Sequence, residues 1–270
     1  MENTAKRSKT TDIRMPDGNI VHIEAHNTLR STSELAKEYA SKNYGDRYVV
    51  FSEYQTTSRI TGTRLADGAA EHGIFLSVLL RPSMFPSQVG TLSPIATASL
   101  LCALDEYTGC ELECGWLSDI YCDGRRIGGV LVEGKLDIYN SYEYIIVSFA
   151  IKLDPKCFPP RLTDMVRKVF ESESNSIAMI MAKSILKKFF ISYASFKNPT
   201  KYIDVFRKRC ILVGRIIRYN EGQKKYNCRV LGIDSSCKLI IEDKGKAVKT
   251  ISDAKLVSIP TKFKIKKKRN

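Results

Sequence analysis

The chain has 270 residues, of which 43% are hydrophobic, so it can bury one large core or a large core and a small one. Its 43 basic and 29 acidic side chains give a net charge of +14, which favours an acidic partner such as a nucleic acid, a nucleotide, an anionic membrane surface or an acidic protein. No apolar stretch approaches the roughly 20 residues of a membrane-spanning helix, which argues against an integral membrane protein and predicts a soluble one.

The eight cysteines lie at irregular spacings, without a Cys-x-x-Cys pair. No secretory signal peptide precedes them, so we expect thiols in a reducing compartment rather than a disulfide framework. Cys110 and Cys114 have a spacing that a metal pair could use, but the chain offers only His22, His26 and His72 as histidine partners. Packing is therefore the expected role of these cysteines, and no metal site is predicted.

The N-terminal elements begin with residues 1–12, which are polar and without periodicity and therefore predict a mobile lead-in. A turn is predicted at Pro16-Asp17-Gly18, followed by apolar and polar alternation to about Ala25. Ser31 begins a capping box with Glu34, which predicts a helix start. The backbone N–H groups and hydroxyls there could bind a carboxylate or carbonyl, although simple capping is the alternative.

Hydrophobic periodicity divides the middle of the chain into strands and helices. The predicted strands are 48–52, 74–80, 127–133 and 143–152, and the predicted helices are 92–107, 162–170 and 177–190. Asn140-Ser141 separates the last two strands as a hairpin turn would, so the sheet should be partly antiparallel.

Short strand-like runs follow Asn198-Pro199, joined by turns rich in Asn, Asp, Ser and Gly. The runs are 210–217, 225–231, 239–242 and 247–251. Such closely spaced short strands predict a small barrel. The basic tail after them, Lys262 to Arg269, is typical of a solvating or targeting segment, with nucleic-acid binding as the alternative.

The most informative stretch is Arg125–Glu133, where a basic pair precedes Gly128-Gly129 and a Val-Leu-Val strand. The glycines would let a ligand or a second backbone come close, and the strand would hold the cations at the mouth of a cleft. Taken alone, the stretch favours the alternative of a solvated arginine pair before an ordinary strand with a glycine bend.

Four motifs resemble those of the biotin protein ligases in order and spacing. They are Ser31-Thr32-Ser33, Glu53-Tyr54-Gln55 with Ser58-Arg59, Gly115 to Asp119, and Arg125 to Glu133. The family has Ser-Thr-Asn, Glu-Tyr-Gln with Gly-Arg-Gly, Lys-Trp-Pro-Asn-Asp and Arg-Lys-Leu-Ala-Gly-Ile-Leu-Val-Glu in these places. The small C-terminal barrel is a further similarity, and the resemblance continues faintly to about residue 255.

The resemblance implies an α+β fold, in which a class II aminoacyl-tRNA-synthetase-like catalytic domain with a mixed sheet and helices precedes a small SH3-like β-barrel. The implied divisions are an N-terminal lead-in (1–25), a catalytic domain (26–198), an SH3-like domain (207–260) and a basic tail (261–270). Many bacterial members carry an N-terminal winged helix-turn-helix that binds DNA. The 25 residues ahead of His26 cannot hold one, so repressor function is not expected.

The implied activity is that of an AMP-forming biotin protein ligase. The carboxylate of biotin attacks the α-phosphate of ATP to give biotinyl-5′-AMP, with Mg²⁺ as the accompanying ion, and a lysine of an acceptor protein then attacks the mixed anhydride. The acceptor would be the biotin carrier domain of a carboxylase of the acetyl-CoA or pyruvate carboxylase type. The enzyme would be a cytoplasmic monomer or homodimer, with neither membrane nor nucleic acid as an expected partner.

The resemblance also implies site residues, because both steps need cations against developing negative charge and a loop that excludes water. Arg126 would take the place of the family's strand-edge lysine, Asp119 would lie near the nucleotide or Mg²⁺, and Arg59 would lie over the adenylate. The ligand-binding residues would be Ser31, Thr32, Ser33, Gln55, Arg59, Ile60, Thr61, Trp116, Arg126, Gly129 and Lys152.

Several positions depart from the family pattern. The Lys-Trp-Pro-Asn-Asp motif has lost a cation, a proline and an amide, the loop after Gln55 has fewer glycines, and the Gly-x-Gly-x-Asn strand has become Ser148-Phe149-Ala150-Ile151-Lys152. Two alternatives therefore stay open, a pseudo-ligase that binds a carrier protein or ligand and a basic nucleic-acid-binding protein on the same fold. An acyl group other than biotin is also open.

Overall fold

Runs rich in β-branched and aromatic residues form the sheets, as their β propensity favours. The computed structural model describes residues 8–57, 59–60, 63–64, 71–84, 86–116, 118–153, 156–158, 176–196, 198, 200–221, 224–252 and 257–258.

The larger sheet has eight strands. They are β1 (Lys9–Arg14), β2 (Ile20–His26), β3 (Tyr48–Gln55), β6 (Glu71–Leu80), β7 (Leu112–Cys114), β8 (Asp119–Cys122), β9 (Arg125–Leu136) and β10 (Tyr142–Lys152). Their spatial order is β1-β2-β3-β6-β10-β9-β8-β7. Only β2 and β3 pair in parallel, and the other neighbours are antiparallel, so the predicted mixed sheet is confirmed. The hairpin of β4 (Arg59–Ile60) and β5 (Thr63–Arg64) contacts this sheet through β4 and β9.

Helices cover both faces of this sheet. They are α1 (Thr32–Ser41), α2 (Pro86–Val89), α3 (Leu92–Leu104), α4 (Ile177–Ala194) and α5 (Thr200–Arg209). On one face, α1 packs its alanines against Val50, Leu79 and Ile146 of the central strands. On the other face, α3 lies between the sheet, α4 and α5, and it is apolar on nearly every side because every side is buried.

The structure confirms the predicted central strands and the hairpin at Asn140-Ser141. It also confirms the helix predicted over 92–107, which ends at Leu104 as α3. The hairpin is closed by the Asp137 carboxylate, which accepts hydrogen bonds from the backbone N–H groups of Tyr139 and Ser141. The predicted helix over 162–170 lies outside the described residues.

The prediction of an irregular lead-in over residues 1–12 is wrong for residues 9–12. These residues belong to β1, which pairs with β2 from Lys9 opposite Ala25 to Arg14 opposite Ile20. β1 is an edge strand with mostly exposed polar side chains, so its sequence carries no apolar alternation. The hairpin of β1 and β2 therefore extends the main sheet across the boundary implied at residue 25.

The smaller sheet contains β11 (Ile216–Glu221), β12 (Lys224–Ile233), β13 (Leu239–Glu242), β14 (Val248–Ile251) and β15 (Val257–Ser258). Its order is β14-β13-β12-β11-β15 and all pairs are antiparallel, which is consistent with the predicted SH3-like domain. The predicted strand over 210–217 begins only at Ile216. The preceding helix, α5, was not predicted, and the basic tail lies outside the described residues.

Hydrogen bonds and a continuous hydrophobic core join the two sheets. The Trp116 indole N–H donates to the Cys237 carbonyl over 2.9 Å, and the Arg207 guanidinium donates to the Ile233 carbonyl over 2.8 Å. Arg207 lies within α5, which packs on α3 and β7 of the larger unit. The implied boundary at residue 207 therefore cuts a helix, and the domain limits stay a prediction.

Cys110 and Cys122 are joined by a disulfide, so the expectation that the cysteines carry thiols is wrong for this pair. The other six are not disulfide-bonded. The sequence gives no indication of this bond, because the two cysteines meet only when the loop after α3 folds against the end of β8. In the described part of the chain, no helix is both long and apolar enough to cross a membrane.

Gly128 is required by the close approach of β9 and β10. A methyl group at this position would overlap the Ala150 carbonyl oxygen and come within 2.7 Å of the Ile151 Cδ1 atom. We expect Gly128→Ala to lower the free energy of unfolding by about 1–3 kcal/mol or more, because the obstacle is partly backbone. Urea denaturation measures this change. Gly232→Ala in β12 is the matched control, since nothing lies within 4 Å of its added methyl group, and an equal loss in both variants would contradict the explanation.

Candidate functional site

The N-terminus of α1 lies over the centre of the larger sheet. Ser31 caps the helix from an extended backbone conformation, and its Oγ accepts a hydrogen bond from the Glu34 N–H over 3.3 Å, as predicted. Its hydroxyl also lies 3.0 Å from that of Ser33. The buried Thr32 N–H donates to the Oε1 of Gln55, the last residue of β3. Two predicted ligand-binding positions, Thr32 and Gln55, are therefore in direct contact.

Two serines of the sheet extend this contact into a buried polar cluster. The Ser77 hydroxyl donates to Thr32 Oγ1 over 2.9 Å and lies 2.9 Å from the Ser148 hydroxyl. We call Thr32, Gln55, Ser77 and Ser148 the polar floor. Its hydroxyls and amide can both donate and accept hydrogen bonds, whereas the neighbouring sheet residues Val50, Leu79 and Ile146, which pack against α1, are apolar. The sequence patterns do not assign Ser77 a role, although it is the only polar residue in the buried run 74–80.

The same face of the sheet continues past the start of α1. Side chains alternate along β10, so Ser148, Ala150 and Lys152 share a face. Ala150 pairs with Gly129 on one side and with Phe75 on the other, and it forms a small apolar cluster with Phe75. One face of β10 therefore changes character along the strand. Ser148 lies in a polar region, Ala150 in an apolar region, and Lys152 at the exposed end.

An ion pair lies next to this face. The Arg126 Nε donates to the Asp119 Oδ1 over 2.8 Å, and both side chains are about three-quarters buried. Asp119 pairs with Gly129 across β8 and β9. Burial raises the pKa of Tyr121, and the adjacent carboxylate of Asp119, to which Tyr121 is hydrogen-bonded, raises that pKa further. Arg126 and Asp119, two of the predicted site residues, are therefore in contact, with Gly129 beside them.

A tight turn fixes the position of Arg126. Asp123 and Gly124, between β8 and β9, both have positive φ angles, 48° and 74°. An Asp-Gly pair in this conformation is typical of a two-residue β-hairpin, whose twist matches that of the flanking strands. The turn aligns β8 and β9 so that Arg126 lies beside Asp119.

Other predicted positions are less closely tied to this face. Trp116 is buried, and its only polar atom donates to Cys237, so it connects the two sheets. The backbone of Arg59 and Ile60 lies in β4, beside β9. Thr61 lies outside the described residues. The ligand-binding roles of these four residues stay predictions.

Glu53 precedes the floor residue Gln55 by two positions. Its Oε1 accepts a hydrogen bond from the Ser176 hydroxyl over 2.6 Å, and the same hydroxyl caps α4 by accepting from the Met179 N–H. Burial raises the pKa of Glu53, and the Ser176 hydrogen bond lowers it to a smaller extent. Glu53 therefore anchors β3 to α4.

The fold is of the α+β class, with a large mixed sheet flanked by helices and a small antiparallel sheet that is consistent with an SH3-like domain. The chain is 23% identical over 227 residues to the bifunctional ligase/repressor BirA of Bacillus subtilis, a match that covers 82% of this chain and 69% of BirA. No protein-family model matches the chain.

Solved structures show the same fold. A biotin protein ligase from Aquifex aeolicus, in complex with biotin and ATP, superposes with a TM-score of 0.61 at 19% identity, covering 87% of this chain and 97% of that one. A biotin protein ligase-like protein of unknown function from a Silicibacter species superposes with a TM-score of 0.62 at 14% identity, covering 90% of this chain and 97% of that one. The chain is therefore similar to a biotin protein ligase in fold and to BirA in sequence over most of its length.

The buried carboxyl of Glu53 predicts a pH effect on stability. Because its folded-state pKa lies above the ordinary value of 4.5, the folded protein holds a proton that the unfolded chain releases first as pH rises. The Glu53 contribution to stability is therefore lost as pH rises from 4.5 through the raised folded-state pKa. Glu53→Gln keeps an acceptor for Ser176 but does not titrate.

We expect the variant to gain stability relative to the wild-type protein as pH rises through this window. Urea midpoints of both proteins, measured across the acidic and neutral range, check the difference. Parallel curves would show that Glu53 titrates normally. Glu111→Gln, at an exposed position just before β7, is the control for a simple change of charge.

Proposed function

We propose that the chain is a biotin protein ligase that joins biotin and ATP into biotinyl-5′-AMP and transfers the biotinyl group to a lysine of a carboxylase carrier domain. The observation that carries the proposal is the order of chemistry across one face of the larger sheet. The polar floor is followed by Phe75 and Ala150, and the Arg126–Asp119 pair lies beyond them on β8 and β9. The similarity to biotin protein ligases supports the same activity.

This order matches the chemistry of biotin. Its ureido ring needs paired hydrogen-bond donors and acceptors, which Thr32, Gln55 and Ser77 can supply. Its valeryl chain is apolar and suits the surface of Phe75 and Ala150. Its carboxylate then extends towards Gly129, where the absence of a side chain permits close approach. A ligand that was polar throughout would not use the apolar middle of this face.

Arg126 suits the adenylation step. Attack of the carboxylate on the α-phosphate gathers anionic oxygens at one point, and a planar guanidinium can bind carboxylate and phosphate oxygens through paired N–H groups. Asp119 fixes the orientation of this guanidinium through the 2.8 Å hydrogen bond. The lysine of the acceptor then attacks the carbonyl carbon of the anhydride, and AMP leaves.

The remaining ligand roles follow from the same proposal. Lys152 adds positive charge at the exposed end of the face, and the segment of Arg59, Ile60 and Thr61 is proposed to cover the adenylate and exclude water. Mg²⁺ enters only as the ion bound to ATP. We assign it no protein ligand, because the Asp119 carboxylate already bonds to Arg126 and Tyr121. Cytoplasmic location and the choice between monomer and homodimer belong to the proposal as well.

The first test is biotin-dependent release of pyrophosphate from Mg·ATP. We expect Arg126→Ala to lower the rate by about 100-fold or more, because it removes a positioned cation from the developing charge. Arg218→Ala is the charge-matched control, since Arg218 is exposed on β11 of the smaller sheet. Biotin binding without pyrophosphate release would favour a pseudo-ligase, and equal rates in both variants would remove Arg126 from the mechanism.

Ser77 provides a separate test of the proposal that the polar floor binds the ureido ring of biotin. We expect Ser77→Ala to weaken biotin binding by about tenfold, since it leaves the hydroxyls of Thr32 and Ser148 without the oxygen that bridges them. Calorimetric titration gives the affinity. Ser99→Ala is the matched control. Ser99 is also buried, but it lies in α3 and donates to the Lys188 carbonyl of α4, away from the polar floor. Unchanged affinity in Ser77→Ala would place the ureido ring elsewhere.

A further inference from the structure

Three cysteines from separate parts of the chain meet behind the β8–β9 hairpin. Cys110 lies in the loop after α3, Cys122 ends β8, and Cys157 follows β10. Their sulfur atoms all lie within 4.8 Å of one another, the only such group of potential metal ligands among the described residues. The disulfide accounts for the meeting of Cys110 and Cys122, and the Cys157 thiol adds a third sulfur beside them.

The cluster is enclosed on one side and accessible on the other. Cys122 is fully buried and Cys157 is 6% exposed, whereas Cys110 is partly exposed. Polar atoms surround the accessible sulfur, because the Thr108 hydroxyl lies 3.1 Å from the Cys110 Sγ and the Cys157 carbonyl lies 3.6 Å from it. The Cys110 N–H donates to Thr108 Oγ1, which holds the loop in place.

The geometry points to a site for Zn²⁺ in which Cys110, Cys122 and Cys157 supply three thiolates and water takes the fourth position. Tetrahedral zinc binds thiolates at about 2.3 Å, which separates two sulfurs by about 3.8 Å. The Cys110 and Cys122 sulfurs are bonded to each other in the disulfide, so they have to move apart once the bond is reduced. The Cys157 sulfur lies within 4.8 Å of both and has to approach them only slightly. Zn²⁺ matches this site because thiolates are among its preferred ligands, it adopts tetrahedral coordination, and it has no redox chemistry of its own.

The disulfide and the metal are alternative states of the same sulfurs. A cellular dithiol reduces the Cys110–Cys122 bond by transferring two electrons, which yields two protein thiols and the disulfide of the reductant. Zn²⁺ then binds the three sulfurs and displaces three protons. A reducing compartment favours the thiol state, and therefore the metal.

An ion bound at this position would affect the β8–β9 hairpin. Cys122 adjoins the Asp123-Gly124 turn that aligns β8 and β9, and Cys157 lies five residues after Lys152. A bound ion would tie the end of β8 to the segment after β10 and so restrain the hairpin that carries Asp119 and Arg126. The proposal is independent of biotin chemistry, because the metal would bind whether or not the chain is a ligase.

Co²⁺ titration of the full chain, reduced with a phosphine under inert gas, tests the site. We expect one Co²⁺ per chain, a thiolate-to-cobalt charge-transfer absorption, and displacement of the cobalt by Zn²⁺. Cys157→Ser should weaken Co²⁺ binding by about tenfold or more, because a thiolate ligand is replaced by a hydroxyl. Cys102→Ser, at a partly buried thiol of α3 outside the cluster, should bind as the wild-type protein does.

A second comparison uses only the unaltered sequence, so it does not depend on whether Cys157→Ser folds. Oxidation to the Cys110–Cys122 disulfide should abolish the charge-transfer absorption, and reduction should restore it. Absence of the absorption in the reduced protein, equal absorption in the oxidised protein, or an equal loss in Cys102→Ser and Cys157→Ser would each overturn the proposal.

Discussion

The hydrogen bond from the Thr32 N–H to Gln55 Oε1 ties the start of α1 to the end of β3, and the arrangement of the site depends on it. Four N–H groups at a helix start lack partners within the helix, and a buried one without a partner costs about 1–3 kcal/mol. Gln55 satisfies one of them from the sheet. Ser77 then joins the Thr32 side chain to Ser148, so β3, β6 and β10 share one polar cluster beneath the helix.

The Gly128-Gly129 pair combines two constraints that the sequence alone could not separate. Gly128 faces β10, where the Ala150 carbonyl leaves no room for a side chain, so its small size serves the packing of two backbones. Gly129 pairs with Asp119 and Ala150, beside the ion pair and the apolar patch. One glycine therefore brings β9 close to β10, and the next leaves space on the face that we propose binds biotin.

Sequence patterns with strong local periodicity were sufficient to predict the elements at the centre of the fold. The strands 48–52, 74–80 and 127–133 and the start of α1 were predicted because their apolar spacing and capping are encoded within a few residues. The strand β1 and the helix α5 were not predicted, because both are largely polar and their positions come from pairing or packing with distant segments.

The candidate site likewise contains some contacts that the sequence could predict and others that it could not. The contact of Arg126 with Asp119 follows from a short hairpin, and sequence similarity was enough to indicate both residues. Ser77 is a single hydroxyl in an apolar strand, and only the alignment of β6 with β10 brings it to Ser148. The meeting of Cys110, Cys122 and Cys157 likewise depends on tertiary packing, so their spacing in the sequence gives no indication of it.

The departures from the family pattern are chemically consistent with one another. Ser148 stands where the family has glycine, and its hydroxyl extends the polar floor by bonding to Ser77. Gly115 stands where the family has lysine, and a side chain there would begin 3.3 Å from the Asp119 Cβ. A lysine at this position would place a cation next to Asp119. In this chain Arg126 of β9 contacts that carboxylate.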